Sequence, residues 1–462
     1  MSLSTERELA QHIAGLRYDS IPDEAIDAAK MLLHDTVVDI VASLRSDLCR
    51  SLRDTWSAEA DGPCALPGTG RRTAATTASF INGVFAHWYE WDDVHFPSIL
   101  HASAVLYPVL LAAGEVEGRT AGGDSWREFI SATVASFDVA ARVSESIVGA
   151  MHNGWMPTST AAIGAAGGAA RLLGLDVAGI HSAMGIAAST IGVSRQAIKD
   201  RVNGKNVLCG LVAETAMRAA LLARSGIEGP SAFVFGDFGA ATLFADRKAS
   251  SSVALSELGK RFSVTESSIK LYPCCYSTHG SIDATLDLVQ AASVSPDAVE
   301  KIEIRLPQKA FELVGAPFIP GEHPRVAAQF SAAYAVALTI CRGAPSIDHF
   351  DDDTIRNARD ILSLVDKVEI GISADARHEV QLRLVDGSTR VGTASAVRGS
   401  PQRPASKAER QRKTEDGLSI LDPRTPISSL DAALDGAAND GIGKISQWIS
   451  DARTSVALQG PS

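Results

Sequence analysis

From residue 5 to about residue 260 this chain places apolar side chains at three- and four-residue steps, and near residue 265 the period drops to two. The period decides which backbone can bury an apolar stripe, so the switch predicts a long helical part followed by a part that contains a sheet. Ile26–Leu44, Thr73–Trp88 and Ala102–Val116 carry the helical spacing. Thr160–Leu175, Gly179–Gly192 and Val207–Ser225 carry it too, crowded with Ala and Gly that let helices approach closely in a bundle. Further on, Lys301–Leu306 and His378–Leu384 alternate apolar with polar residues, and the second passes through Asp386-Gly387-Ser388 into Thr389–Thr393 as a hairpin. Helical segments, Ser281–Ala292 and Ala327–Ile340, lie among them. The fold class is therefore mainly α: an all-helical domain over residues 1–265 and a smaller α+β domain over 266–400. Residues 396–416, rich in Arg, Lys, Pro and Ser, read as an exposed loop. Within residues 401–462 the stretch Ile420–Val456 reads as a helical segment returning to the first domain.

Composition narrows the function classes. Of 462 residues, 45% are hydrophobic and 21% charged, and the formal net charge is −11. An acidic chain with no basic stripe is not built for nucleic acid or an anionic membrane. Ala102–Ala113 is too short to span a bilayer, and longer apolar stretches are interrupted by Arg171, Asp176, Glu214 or Arg218. The N-terminus lacks the basic and apolar regions of a secretory signal, and six cysteines without a regular framework point to reduced thiols in a cytoplasmic protein.

Four patches carry candidate chemistry. His87–His101 packs three carboxylates, three imidazoles and four aromatic rings into fifteen residues. A solvated loop rarely holds so many rings, and a core rarely holds so many ionisable groups, so the segment reads as a cleft wall. Asp92, Asp93, His95 and His101 offer donors to a divalent metal, yet the His-x5-His spacing is no metal signature, and acid/base work or substrate hydrogen bonding is the preferred reading. Arg195–Lys205 holds four cations, among them Arg201; Lys205 follows the Asn203-Gly204 turn and precedes a helix whose first amides favour anions. Lys270–Asp283 contains Cys274 and Cys275, read as buried structural thiols, with Lys270 and His279 flanking a proline turn. The fourth patch, Arg325–Tyr334, offers the Tyr334 phenol, for which a half-buried core position weighs equally. No dinucleotide fingerprint, phosphate loop or nucleophile elbow occurs, so nothing points to a nucleotide, a flavin or a serine triad.

Taken in order, these patches resemble the MmgE/PrpD family from Ile26 to about Asp386. The resemblance rests on Asn82-Gly83 leading into Glu90-Trp91-Asp92-Asp93-Val94-His95 and His101, on Gly154-Trp155-Met156-Pro157-Thr158, on Asn203-Gly204-Lys205, on Lys270 to Cys275 with His279 to Asp283, and on Gln329-Phe330-Ser331 with Tyr334. It implies a large helical domain, a smaller α+β lid domain, a homodimer, and no metal or organic cofactor. It also implies a small di- or tricarboxylate substrate, as for 2-methylcitrate dehydratase, cis-aconitate decarboxylase and iminodisuccinate epimerase. The family's cleft lysines fall on Lys205 and Lys270, its histidine on His101 and its tyrosine on Tyr334, which become the expected catalytic residues. Glu90, Asp93, His95, Met156, Arg201 and His279 are the expected substrate-binding set. The family's usual Asp-Phe-Asp-Asp-Thr-His reads Glu-Trp-Asp-Asp-Val-His here, and its Gly-Phe-His-Pro-Thr reads Gly-Trp-Met-Pro-Thr.

Methionine carries no proton, so Met156 argues against a reaction that needs a second acid. An epimerase of the iminodisuccinate type needs one proton carrier on each face of an acidic carbon, with fixed cations facing the enediolate-like charge. That is the leading expectation. A dehydratase or decarboxylase is the alternative; a metal-dependent hydrolase using Asp92, Asp93, His95 and His101, or a non-catalytic polyanion scaffold, stands further off.

Overall fold

The computed structural model describes residues 4–58, 61–118, 121–245, 249–292, 294–422 and 425–454. The molecule is mainly α. Its helical core is built from Asp23–Ala42, Ala75–His87, Ser103–Val116, Gly123–Ile147, Ala161–Leu172, Val177–Ala188 and Leu208–Arg224. Close approach explains the Ala/Gly crowding. A Cβ on Gly164 would lie 2.2 Å from the carbonyl oxygen of Ser136 in the neighbouring long helix. One on Gly210 would lie 2.5 Å from the carbonyl oxygen of Phe80. The second contact seats Leu208–Arg224 directly on Ala75–His87, so Lys205, just before one helix, arrives beside His87, the last residue of the other.

Among the described residues one run, Asn203–Arg224, is long and apolar enough by length and composition to cross a bilayer. It is packed in the core against Ala75–His87 and Ala161–Leu172.

The expectation of an all-helical first part is corrected by two short antiparallel ladders, Cys64–Ala65 with Arg72–Thr73 and Val94–His95 with Ser267–Ser268. The second positions the site, because it ties the ionisable segment to the chain just ahead of Lys270. Beyond it lies a four-stranded sheet in the order Val368–Ile372, Val299–Leu306, His378–Leu384, Thr389–Ala394. The first pair is parallel and the others antiparallel. Val299, Ile302, Ile304 and Leu306 bury the face expected from alternation, and Val380 and Leu382 extend it. Helix Tyr276–Ala292 packs on this sheet. The strand Val368–Ile372 was not anticipated, although Val-Glu-Ile-Gly-Ile alternates in the same way.

Two other expectations change. The helix over Ala327–Ile340 is broken into Pro324–Gln329 and Ala332–Arg342, because the Ser331 hydroxyl accepts the Tyr334 amide and starts a new helix. The loop over 396–416 contains the first part of a capped helix, Lys407–Leu418, whose Lys413 is buried rather than exposed. Its ammonium meets Asp35 at 2.6 Å and Asp39 at 3.6 Å and donates to the Trp91 carbonyl at 2.8 Å. All six cysteines are free.

Candidate active site

Helix Ala75–His87 ends with His87 pointing into the cluster, and the chain then turns through Glu90, a non-glycine residue with φ +57°. Val94 and His95 pair with Ser268 and Ser267, which delivers Lys270 to the turn. The Lys270 ammonium donates to Glu90 Oε1 at 2.8 Å and to the Glu90 carbonyl at 3.1 Å, and lies 3.8 Å from Asp92 Oδ1. From the other side the turn Asn203–Val207 places the Lys205 ammonium against Glu90 Oε2. Glu90 is thus clamped between the two lysines, and all three are 0–2% exposed. The expected cationic cleft is in fact balanced: two ammonium groups face Glu90 and Asp92.

Asp92 organises the histidines. Its Oδ1 lies 2.8 Å from His87 Nδ1 and its Oδ2 3.1 Å from His101 Nδ1. His101 Nδ1 is also 3.0 Å from the Asp93 carbonyl oxygen. Both neighbours of that nitrogen only accept, so Nδ1 carries the proton and Nε2 is left to exchange one. The His101 amide points to Thr158 Oγ1 at 3.4 Å, which draws the Gly154–Thr158 segment to the site. Burial drives His87 down to about 3 despite Asp92 beside it. Burial resists ionisation of Asp92, but His87, His101 and Lys270 together hold it well below the usual carboxylate range. Burial and then Lys270 press the Lys205 ammonium down to about 7.

The structure does not bring every expected residue here. Asp93 is spent on the helix that follows: its Oδ1 accepts the Ser103 amide at 3.0 Å and its Oδ2 the Ser267 hydroxyl. His95 turns away to Ser98 at 2.7 Å and Glu266 at 3.3 Å, in a separate group with Arg261 and Glu145. The four-ligand metal set imagined for Asp92, Asp93, His95 and His101 is therefore split between two places. Tyr334 packs against Phe318 and Phe350 and donates its hydroxyl to the His349 carbonyl at 3.0 Å, the core position. His279 is buried between the rings of Tyr272 and Tyr276 with Nε2 3.3 Å from the Cys274 carbonyl. Burial and Lys270 hold its pKa near 3. Arg201 is half-buried at a left-handed turn residue, with no carboxylate within ion-pair distance among the described residues. Met156 is buried and bonds Val193 through its amide.

Sequence reasoning assigned no role to His87, Gln329 or Lys413. Gln329 ties the Tyr89 and Pro273 carbonyls together at 2.7 and 3.1 Å. His87 could have been found from its place one helical turn before Glu90; Lys413 left no signal. His87, Asp92 and His101 converge closely enough to hold a metal ion, but Lys270 places a fixed positive charge 3.8 Å from Asp92, which opposes a dication there.

Comparison with known proteins settles the kinship. Residues 7–252 match the MmgE/PrpD N-terminal domain and residues 272–434 the MmgE/PrpD C-terminal domain. The chain belongs to the MmgE/PrpD family. It is 29% identical over 380 residues to a cis-aconitate decarboxylase-like protein of Aspergillus oryzae, covering 78% of each chain. It is 26% identical to a cis-aconitate decarboxylase of Aspergillus terreus, over 72% of this chain and 71% of that one. The human cis-aconitate decarboxylase is 23% identical over 452 residues, 93% of this chain and 91% of its own. In this MmgE/PrpD chain Glu90 is the residue held by both lysines, and Met156 is two residues from the hydroxyl that meets His101.

Proposed function

We propose that this enzyme is a lyase that acts on a small polycarboxylate, with decarboxylation of a cis-aconitate-like substrate as the leading reaction and no cofactor in the chemistry. One observation carries the reading: a buried pair of lysines, Lys205 and Lys270, stands on a carboxylate next to an imidazole whose Asp92-bound Nδ1 leaves Nε2 free. Similarity to cis-aconitate decarboxylases supports it and moves the epimerase expectation to second place.

In this reading the bond from carbon to the departing carboxylate breaks and CO2 leaves. Its electron pair enters the system conjugated with a remaining carboxylate, which becomes enediolate-like. Lys205 and Lys270 meet that charge in a water-poor site where fixed cations act strongly. His101, held through Nδ1 by Asp92, delivers a proton from Nε2 to carbon, so substrate and one proton give product and CO2. Iminodisuccinate-type epimerisation stays as a second reading because Lys205, pressed to about 7, and His101 give the cluster two groups able to carry a proton.

Incubating the protein with cis-aconitate, citrate and iminodisuccinate in D2O and following them by NMR separates the readings. CO2 release with one deuterium in the product supports the decarboxylase. Inversion with deuterium at the α-carbon supports the epimerase. No exchange and no loss of CO2 or water with any of them defeats both. Lys270→Ala and His101→Asn should each lower kcat/KM at least about a hundredfold, the scale of losing an acid–base or electrostatic group.

The proposal includes a homodimer with residues 266–400 as its lid part. Leu211, Leu222, Ile227, Phe238 and Leu243 are exposed in one stretch of sequence, with Phe238 90% exposed. Light scattering on the purified chain should give twice the mass of one chain; a monomer at micromolar concentration would remove this element.

A further inference from the structure

We propose that Arg325 is the outer carboxylate anchor of this site, holding the substrate's second carboxylate while the reacting end lies at Lys205, Lys270 and His101. The inference rests on the polycarboxylate reading above and adds to it where the substrate is held. The Arg325 guanidinium carbon lies 4.5 Å from the centre of the Trp88 ring and 5.5 Å from that of Tyr89. Those two rings immediately precede Glu90 in the chain. The contact with two rings holds the guanidinium at this place, and a planar guanidinium can offer an edge for a two-pronged contact with a carboxylate.

Arg325 stands where the surface meets the cluster. It lines both a cavity of about 560 Å³ and a smaller one of about 230 Å³. The smaller also touches Trp88 and Asn203, the residue that opens the turn carrying Lys205. The short helix Pro324–Gln329 runs from Arg325 toward the cluster, where Gln329 bonds the Tyr89 carbonyl and the Phe330 ring lies 5.3 Å from the Lys205 ammonium. Four helical residues rise about 6 Å, comparable with the reach between the terminal carboxylates of a five- or six-carbon polyacid.

The other charges around these cavities are already committed. Arg45 pairs with Asp348 and Asp47 with Arg50, while Asp352 Oδ1 accepts the backbone amide of Arg325 at 2.9 Å. Asp351, exposed at the rim, feels Arg45 and Arg325 without lying within ion-pair distance of either. Among the described residues no carboxylate comes within ion-pair distance of the Arg325 guanidinium, although four aspartates line the larger cavity with it. A half-buried arginine, stacked, unpaired and facing a cavity, is placed for an anion from solution.

The test compares the full-length protein with Arg325→Met and Arg325→Lys, by calorimetric binding and steady-state kinetics with cis-aconitate and by binding of crotonate, which has one carboxylate. Arg325→Met should weaken Kd and raise KM for cis-aconitate about ten- to hundredfold, the scale of a charged hydrogen-bonded pair. Its kcat should fall far less than kcat/KM, and crotonate affinity should not follow. Arg325→Lys should recover part of the loss, because a lysine keeps the charge without the planar fork. If thermal melting shows Arg325→Met to be unfolded, Arg325→Lys decides alone: a KM within twofold of wild type overturns the anchor. Loss of kcat without loss of affinity overturns it as well. Binding that depends on Arg325 without CO2 release leaves the anchor standing and defeats the decarboxylase reading. CO2 release with an Arg325-independent KM does the reverse. No binding of cis-aconitate by the wild type defeats both.

Discussion

Glu90 holds a left-handed backbone that a residue with a Cβ adopts at a cost of about 1–2 kcal/mol. At this turn the Glu90 side chain takes both lysines and its carbonyl takes Lys270 as well, while Asp92 reaches Lys270 alone, at 3.8 Å. Removing the negative charge while keeping the shape should therefore expose what the slot prefers. Glu90→Gln leaves two buried ammonium groups facing each other and should lower stability by about 3–5 kcal/mol, the usual cost of breaking a buried pair from one side. A polycarboxylate that enters the slot replaces the missing charge, so cis-aconitate should raise the melting temperature more in Glu90→Gln than in the wild type. An equal or smaller rise would mean that substrates bind elsewhere. The residues of this cluster were legible in the sequence because ionisable groups next to rings are rare in both cores and loops. Their directions were not legible. Asp92, Asp93 and His95 are near neighbours in sequence, yet backbone geometry sends Asp92 to the histidines, Asp93 to a helix start and His95 to Glu266.

Helices Ala75–His87 and Leu208–Arg224 set the distance between His87, Glu90 and Lys205, and Gly210 is the position at which they touch. An alanine in a helix interior ordinarily gains about 0.5–1 kcal/mol over glycine. Here its methyl would meet the Phe80 carbonyl, so Gly210→Ala should instead cost about 1–3 kcal/mol by overpacking. The same wedge moves Lys205 relative to Glu90, and kcat/KM should fall by more than the lost stability explains. Denaturant titration beside kinetics checks both; a more stable, fully active variant would refute the contact. Such helices were readable because their apolar period runs over many turns. Lys407–Leu418 was not, because only Lys413, Gly417 and Leu418 are buried and the rest reads as solvated charge. Its anchor is one ammonium on Asp35 and Asp39, a pairing between residues more than 370 apart. Lys413→Met should cost about 3–5 kcal/mol, since two buried carboxylates lose their partner, and the loss should be visible in thermal melting.

At the scale of the whole molecule, buried ionisable groups tilt stability with pH in opposite directions. His279 titrates near 3 in the folded protein against an ordinary 6.5, so between those values the unfolded chain holds a proton that the folded one lacks. Its contribution is present above pH 6.5 and is lost as pH falls toward 3. Glu115 does the reverse. Burial raises its carboxyl from 4.5 to about 7, so the folded state holds the extra proton and stability is lost as pH rises through that range. The two windows overlap between pH 4.5 and 6.5, where the slopes oppose each other, and His87 and His378, lowered by burial to about 3 and about 4, add to the rising side, so the wild-type curve does not isolate either group. Substitution separates them. The stability of wild type minus that of His279→Gln should rise with pH by about 1.4 kcal/mol per unit across the overlap, one ionisation's worth. The corresponding difference for Glu115→Gln should fall by a similar slope. Urea titrations at pH 4.5, 5.5 and 6.5 measure both differences directly. Parallel curves for wild type and His279→Gln would show that the ring is protonated in the folded protein and that its burial between Tyr272 and Tyr276 does not suppress its charge.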